Sequence, residues 1–241
     1  MAVAIVLAAG SGSRMNSDIA KQYLKIKDKE VLYYSLKVFE DNNNIDAIIL
    51  VTRKEDIAYC QENIVDKYGF NKVKNICEGG SERYYSVYNG LVCAGTLPDE
   101  QRDIVMIHDG ARPFVNDVMI QDSIDAIKEK CSACTVGMPV KDTIKVVREI
   151  NGERIGVETP DRSTLYQIQT PQTFKYDMLM SAYENMFRNK NGNITDDTMI
   201  AEQYGGVLSV VVPGSYENIK ITTPEDLEVA EKFLEKNLKK F

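Results

Sequence analysis

The 241 residues of this chain carry 29 Lys and Arg against 36 Asp and Glu, a formal net charge of −7. This acidic balance argues against general nucleic-acid binding, which depends on neutralising phosphates with Lys and Arg. No apolar run reaches the roughly 18 residues of a membrane span, and the first apolar run lacks the basic start of a signal peptide. We therefore expect a cytoplasmic protein with a hydrophobic core large enough to fold without disulfides or metals.

Apolar runs alternate with helical periods along the chain, and this order predicts a mostly parallel, doubly wound α/β sheet. The runs are nearly continuous in apolar residues, as strands covered on both faces are. The predicted strands are residues 3–8, 45–52, 73–77, 104–108, 134–139 and 207–212. The predicted helices are residues 31–40, 55–68, 84–94 and 118–130. A last helix begins at Pro224, with Thr223 as its N-cap and Asp226 at capping-box spacing.

The alternation breaks between Thr143 and Gln169. Two short strands, residues 143–150 and 154–157, flank Asn151-Gly152, a dipeptide typical of type I′ hairpin turns. A polar hairpin inserted in an α/β domain has little core of its own, so it needs support from elsewhere. A contact with a second subunit and a simple surface flap are both consistent with this pattern.

The cysteine pattern favours free thiols over a metal or redox site. An odd number of cysteines without an export signal is typical of reduced thiols. Only one C-x-x-C pair occurs, so the paired spacing of a zinc site is missing. The five cysteines are Cys60, Cys77, Cys93, Cys131 and Cys134.

Two glycine-rich turns follow predicted strands. Residues 7–15 read LAAGSGSRM, and residues 79–86 read GGSERYYS. Glycine lets consecutive backbone N–H groups face a phosphate. In the first turn Met15 replaces the third glycine of a dinucleotide fingerprint, and the end of a Walker loop is absent. Because Arg14 and Lys21 follow it, we interpret this turn as an anion site, whereas the second turn alone is equally consistent with an ordinary turn and a surface arginine.

Charged side chains also follow the predicted strand 104–108. Ligands bind at the carboxyl ends of strands in open α/β sheets, where Asp109 could hold a divalent ion or a sugar hydroxyl and Arg112 a phosphate. An ion pair that braces the turn is the alternative, and we interpret His108 as structural. Several cations share such positions at strand ends or glycine turns, which predicts that the chain handles a polyphosphate. They are Arg14, Lys21, Arg112, Lys141, Arg162 and Lys220.

Nine ordered blocks resemble the 2-C-methyl-D-erythritol 4-phosphate cytidylyltransferase family, from the first strand to the final helix. The blocks are LAAGSGSRM (7–15), KQY (21–23), GGSERYYSV (79–87), HDGARPF (108–114), PVKDTIK (139–145), TPDRS (159–163), QTPQTF (169–174), TDD (195–197) and NIKITTPEDL (218–227). Three positions depart from the family pattern: Gly110 stands where Ala is usual, Ala20 where Pro is common, and Tyr166 where Trp is usual.

The resemblance implies an α/β, Rossmann-like nucleotidyltransferase fold of the GT-A-like type. A single domain over residues 1–241 would hold a mostly parallel twisted sheet, with residues 143–168 as an inserted, protruding β-hairpin arm for dimerisation. The implied reaction joins CTP and 2-C-methyl-D-erythritol 4-phosphate to give the CDP-linked alcohol and pyrophosphate. Mg²⁺ would be held chiefly by triphosphate oxygens. The implied enzyme is a homodimer with composite active sites, and neither nucleic acid nor a membrane is a partner.

The same resemblance implies a role for each matching residue. The catalytic residues would be Arg14, Lys21 and Lys220, which stabilise the five-coordinate phosphorus, and Arg162, which arrives from the partner's arm. The nucleotide would be bound by Ala8, Ala9, Gly10, Gly12, Gly80, Ser81 and Ser86. The sugar phosphate would be surrounded by Asp109, Gly110, Arg112, Thr143, Thr170, Thr195, Lys220 and Thr222. Asp109 is also the candidate protein ligand for the metal.

Three other hypotheses stay open. A ribitol-5-phosphate cytidylyltransferase is similar over most of these blocks, although Ala111 before Arg112 favours the methylerythritol enzyme. A nicotinamide oxidoreductase is disfavoured by Met15. A non-catalytic nucleotide sensor is disfavoured because all the cations are present.

Overall fold

A computed structural model describes residues 2–10, 20–99, 102–189 and 193–237. Eleven strands and seven α-helices are found in these ranges. The strands are β1 (Ala2–Leu7), β2 (Lys25–Ile26), β3 (Lys29–Glu30), β4 (Ile45–Thr52), β5 (Val73–Glu78), β6 (Ile104–Asp109), β7 (Ala133–Pro139), β8 (Val146–Ile150), β9 (Glu153–Glu158), β10 (Tyr166–Lys175) and β11 (Val210–Pro213). The helices are α1 (Val31–Asp41), α2 (Ile57–Cys60), α3 (Arg83–Ala94), α4 (Asp117–Glu129), α5 (Tyr176–Asn189), α6 (Asp197–Gly205) and α7 (Pro224–Asn237).

Seven of the strands form one sheet in the order β11-β7-β10-β6-β1-β4-β5. β1 pairs in parallel with both β4 and β6, and β5 and β11 extend the sheet with further parallel pairs. β10 alone runs antiparallel, between β6 and β7. The predicted α/β fold with a mostly parallel sheet is therefore confirmed.

The central strands are apolar on both faces because helices cover both sides of the sheet. Ala4 and Val6 of β1 belong to a buried cluster with α1 and α4. Val3 and Ile5, their neighbours along the same strand, belong to a second cluster with α3 and α5. Alternate residues of a strand point to opposite faces, so a strand with two buried faces reads as a continuous apolar run.

The six predicted strands and most of the predicted helices are present, with their ends shifted by a few residues. The predicted helix 55–68 is divided between α2 and a π-helical segment, Gln61–Asp66, and α7 begins at the predicted Pro224. The carboxylate of Asp226 accepts the Thr223 N–H at 2.9 Å, as a capping box requires. β2, β3, β10, α5 and α6 were not predicted.

The hairpin predicted between residues 143 and 168 is also present. β8 and β9 pair antiparallel around Asn151 (φ 54°) and Gly152 (φ 81°). A type I′ turn needs positive φ at both central residues, which explains the Asn-Gly pair. Every residue of β8 and β9 is exposed, so within one chain this arm contributes nothing to the core.

Two predictions of absence can be assessed within the described ranges. None of their helices is long and apolar enough to cross a bilayer. The five cysteines, all of them described, are free thiols.

Candidate functional site

Two adjoining clefts lie at the carboxyl ends of β1 and β6. The larger has a volume of about 380 Å³ and the smaller about 150 Å³. Arg83, Asp109 and Lys220 line both of them. Since β1 and β6 are parallel neighbours, the residues that follow Leu7 and those around Asp109 meet at one edge of the sheet, where ligands of open α/β sheets bind.

The larger cleft brings together both glycine-rich turns and two of the predicted catalytic lysines. The predicted residues that line it are Ala8, Ala9, Gly10, Lys21, Gly80, Ser81, Ser86, Asp109 and Lys220. Gly12 and Arg14 lie outside the described residues, so their predicted roles stay predictions.

The second glycine turn packs closely at both of its glycines. A Cβ atom on Gly79 would lie 2.5 Å from the Cβ of Ala9, and one on Gly80 would lie 2.2 Å from the Cβ of Tyr85. The Gly80 N–H donates to the Ser86 hydroxyl at 3.0 Å, which fixes the turn at the start of α3. Gly79 therefore lets the second turn pack against Ala9 of the first, and Gly80 lets the same turn pack against the start of α3.

Three cations surround the Asp109 carboxylate. Lys220 Nζ lies 2.8 Å and Arg112 Nε 3.7 Å from Oδ2, and Arg83 Nε lies 3.6 Å from Oδ1. Burial by itself raises the pKa of Asp109, but the charges of Lys220, Arg83 and Arg112 outweigh it and hold the pKa well below its usual range. Asp109 is therefore ionised at neutral pH and fixes three positive groups in the walls of the two clefts.

His108 connects the elements around this carboxylate and carries no charge. Its Nε2 donates to the Arg112 carbonyl at 3.1 Å, and its Nδ1 accepts the Thr170 hydroxyl at 3.1 Å. This tautomer is assigned because a carbonyl can only accept. The Thr170 oxygen in turn accepts the Asp109 N–H at 3.1 Å. Burial lowers the pKa of His108 to about 4, so the predicted structural role agrees with its surroundings.

The smaller cleft contains three more residues that were predicted to contact the sugar phosphate, namely Arg112, Thr170 and Thr195. Arg112 donates through Nη1 to the Asn218 carbonyl at 2.8 Å, which ties its guanidinium to the segment that carries Lys220. The ion pair between Asp109 and Arg112, which was the alternative interpretation of this turn, is also present, at 3.7 Å. The pair braces the turn and leaves both groups at the cleft.

Four predicted residues do not line either cleft. Arg162 donates to the Lys141 carbonyl at 2.7 Å at the base of the arm, where it is exposed, and Thr143 is exposed at the start of the arm. The Thr222 hydroxyl donates to Asp226 and so helps to cap α7. Gly110 donates its N–H to the Leu7 carbonyl at 2.8 Å, and its own carbonyl accepts the Ser35 hydroxyl. One chain alone gives these four roles no support, and they stay predictions.

Sequence reasoning missed two residues of this site. The sequence left Arg83 open between a ligand-binding turn and an ordinary surface arginine, and it gave Asp197 no role. In the structure Arg83 Nη2 lies 2.8 Å from Oδ2 of Asp197, a side chain with no solvent exposure. Burial by itself lowers the pKa of Arg83, but the charges of Asp197 and Asp109 outweigh it and raise the pKa above its usual range. The only signal in the sequence was the position of Arg83 at the end of a glycine turn, and nothing local connects it to Asp197.

The described residues do not form a metal cage by themselves. No group of three or more His, Cys, Asp or Glu side chains suited to a metal occurs among them. Asp109, the predicted ligand, is already neutralised by three cations. A direct contact between Asp109 and a metal ion therefore stays a prediction.

Comparison with known proteins adds a second line of argument. The family model for 2-C-methyl-D-erythritol 4-phosphate cytidylyltransferase matches residues 2–236. The proteins of that name from Clostridioides difficile and Clostridium novyi are 48% and 47% identical to the chain. The first match covers 95% of this chain and 92% of the relative, and the second covers 96% of each.

Solved structures agree with these relatives. The 4-diphosphocytidyl-2C-methyl-D-erythritol synthase from Anaerococcus prevotii superposes with a TM-score of 0.82 at 33% identity, over 97% of this chain and 96% of the other. The 2-C-methyl-D-erythritol 4-phosphate cytidylyltransferase of Francisella tularensis gives a TM-score of 0.76 at 30% identity, over 96% and 98%.

Proposed function

Because the chain belongs to the 2-C-methyl-D-erythritol 4-phosphate cytidylyltransferase family, we propose that it transfers CMP from CTP to 2-C-methyl-D-erythritol 4-phosphate. The products are 4-diphosphocytidyl-2-C-methyl-D-erythritol and pyrophosphate. The observation that carries this proposal is the convergence of Lys21, Arg83, Arg112 and Lys220 on two joined clefts. The names of the relatives favour this substrate over ribitol 5-phosphate.

The chemistry needs charge neutralisation more than a base. A phosphate oxygen of the methylerythritol substrate attacks the α-phosphorus of CTP, and the bond from that phosphorus to the oxygen bridging the β-phosphorus breaks. The bridging oxygen leaves on pyrophosphate. The nucleophile is already an anion, so the protein aligns the reactants and stabilises the negative charge. Lys21 and Lys220, at the wall of the larger cleft, supply that positive charge.

The two clefts correspond to the two substrates. The larger cleft is lined by backbone-rich turns at Ala8, Ala9, Gly10, Gly80 and Ser81, and it takes the nucleotide, with cytosine against the second turn. The smaller cleft holds Arg112, Thr170 and Thr195, and it takes the polyol phosphate. Lys220 lines both clefts, so it lies where the attacking phosphate and the α-phosphate come together.

The hairpin arm is the reason to propose a second subunit. Exposed apolar side chains on the hairpin include Val147 (51% exposed), Ile150 (46%) and Val157 (43%). A contiguous exposed apolar surface is typical of a protein interface, and a two-stranded hairpin is marginal alone. We propose a homodimer in which each arm delivers Arg162 to the partner's smaller cleft, since Arg162 lies outside the clefts of its own chain.

Two further features go with this proposal. Mg²⁺ bound by the triphosphate would supply further charge neutralisation at the phosphates, in addition to the positive charge of Lys21 and Lys220. The enzyme acts in the cytoplasm, since CTP is a cytoplasmic nucleotide and five unpaired cysteines suit a reducing compartment.

The test compares the steady-state kinetics of 2-C-methyl-D-erythritol 4-phosphate and ribitol 5-phosphate, each with CTP and Mg²⁺. The rate is measured as release of pyrophosphate. We expect kcat/KM to favour the methylerythritol substrate by at least about a hundredfold, because unpaired polar groups in a built site penalise the wrong polyol. A preference for ribitol 5-phosphate would overturn the proposed substrate. If neither polyol phosphate gave any release of pyrophosphate, the proposed reaction would be overturned.

A further inference from the structure

Asp196 and Asp197 are adjacent in the sequence, yet the fold gives their carboxylates different tasks. Asp196 is the N-cap of α6, where its Oδ1 accepts the Met199 N–H at 2.9 Å. Asp197, the first residue of the helix, has no exposed surface. A buried carboxylate is costly unless charge and hydrogen bonds compensate it, so its partners indicate what it is for.

Both oxygens of Asp197 are engaged. The Tyr183 hydroxyl donates to Oδ1 at 2.6 Å, and Arg83 Nη2 lies 2.8 Å from Oδ2. The backbone N–H of Asp197 donates to Gln172 Oε1 at 3.0 Å, which anchors the start of the helix to β10. Tyr183 is itself fully buried on α5. The carboxylate therefore cannot rotate without breaking a short hydrogen bond, an ion pair or both.

The Arg83 guanidinium is held between two carboxylates. Its Nη2 contacts Asp197 while its Nε lies 3.6 Å from Asp109 Oδ1. Lys220 holds the other oxygen of Asp109 at 2.8 Å. Asp109 thus faces Arg83 with one oxygen and Lys220 with the other, while Asp197 holds the far end of the Arg83 guanidinium at the shorter distance.

We propose that Asp197 and Tyr183 are positioning residues for CMP transfer. The buried Asp197 carboxylate, held by the Tyr183 hydroxyl, fixes Arg83 between the nucleotide cleft and the polyol phosphate cleft. Arg83 then interacts with the phosphates of both substrates, and Lys220, held by Asp109, keeps its place in the wall shared by the two clefts. This inference rests on the proposed function, because it assigns the two clefts to those two substrates.

The first test is a set of conservative variants assayed with both substrates. Asp197→Asn keeps the size of the side chain and removes its charge. We expect it to raise KM for the polyol phosphate about tenfold or more, in line with the cost of a misplaced binding group. Tyr183→Phe removes only the hydroxyl, and we expect a smaller rise of about threefold. Tyr176→Phe is the matched control, because Tyr176 is a buried tyrosine of the same helix whose hydroxyl donates to the Leu91 carbonyl, and its kinetics should not change.

A double-variant comparison shows whether Asp197 acts through Arg83. In an Arg83→Gln background, adding Asp197→Asn should change kcat/KM by less than about twofold, because the group it positions is already gone. A full repeat of the tenfold loss in that background would overturn the proposal. So would unchanged KM values with a lower kcat in Asp197→Asn, the result expected when a variant only reduces the folded fraction.

The second test does not depend on activity. A crystal structure of Asp197→Asn should show the Arg83 guanidinium displaced toward Asp109 by about 1 Å or more, and Tyr183→Phe provides the same comparison if Asp197→Asn does not fold. An unmoved guanidinium would overturn the positioning role. If the unsubstituted protein turns over neither polyol phosphate, the proposed function fails, and the position of Arg83 still decides the structural part of the inference.

Discussion

His108 gives a prediction that can be measured on a single resonance, because the chain contains only one histidine. The side chain is fully buried, with the Arg112 carbonyl and the Thr170 hydroxyl on its two nitrogens. The ring of Phe39 lies edge-on at 5.2 Å. Burial favours the neutral ring most, and the nearby positive charges of Arg112 and Lys220 favour it too.

The magnitude follows from the pKa. Burial lowers the pKa of His108 from 6.5 to about 4, a gap that corresponds to about 3 kcal/mol. The unfolded chain takes up a proton near pH 6.5 and the folded chain does not, so the neutral ring stabilises the fold above that pH. This stability is lost as the pH falls toward 4. Between neutral pH and about pH 5 the free energy of unfolding should fall by about 2 kcal/mol from this residue.

The assay is ¹H–¹³C NMR of the histidine Cε1–H, together with urea unfolding at several pH values. We expect no titration of the folded resonance above about pH 5 and a matching loss of stability over the same range. His108→Gln removes the titrating ring, so the loss between about pH 6.5 and 5 should become smaller in that variant. A folded-state resonance that titrates near 6.5 would refute the reasoning.

The remaining predictions concern the clefts. Lys21→Ala should lower kcat far more than it raises KM for CTP, because its charge matters most in the transition state; a pure KM effect in steady-state assays would contradict this. Arg162→Ala should weaken binding of the polyol phosphate and leave binding of CTP unchanged. Heterodimers of Arg162→Ala and Lys21→Ala subunits should regain activity, and verified heterodimers without activity would count against composite sites. Gly80→Ala should raise KM for CTP and cost about 1–3 kcal/mol in urea unfolding, because its Cβ meets Tyr85; wild-type values for both would contradict the close approach. Asp109→Asn should lower stability by about 3–5 kcal/mol in thermal unfolding, and pyrophosphate should restore part of it; a loss below about 1 kcal/mol would contradict the account.

The parallel core could be predicted because its signals are local. The apolar runs of β1, β4 and β6 are continuous because both faces of these strands are covered. The start of α7 could be predicted from Thr223, Pro224 and Asp226, and the two turns could be predicted from their glycines. The position of the cleft then follows from topology, since parallel neighbours bring their carboxyl ends to one edge of the sheet. Asp109 and Lys21 both line the cleft at that edge.

β10 and α5 were missed for different physical reasons. β10 is the antiparallel strand of an otherwise parallel sheet, and it carries polar residues and Pro171 where a buried strand is expected to be apolar. The helical spacing of α5 is present in the sequence, at Leu179, Ala182, Tyr183 and Met186, which are all buried. That helix could have been predicted from its period.

The pairing of Arg83 with Asp197 could not have been predicted. The two residues lie on α3 and α6, far apart in the chain, and the contact exists only because β10 and α5 bring those helices together. A local pattern says nothing about such a contact. The structure of one chain does not test the roles of Arg162 and Thr143. Both residues are exposed on the arm, which is predicted to contact a second subunit.

In the proposed reaction, cations from separate parts of the chain act together on one triphosphate. The most direct measurement is a crystal structure with a non-hydrolysable CTP analogue and Mg²⁺. We expect the base against Gly80 and Ser81, and the phosphates within hydrogen-bond distance of Lys21 and Lys220. An analogue bound with its phosphates away from both lysines would contradict the account.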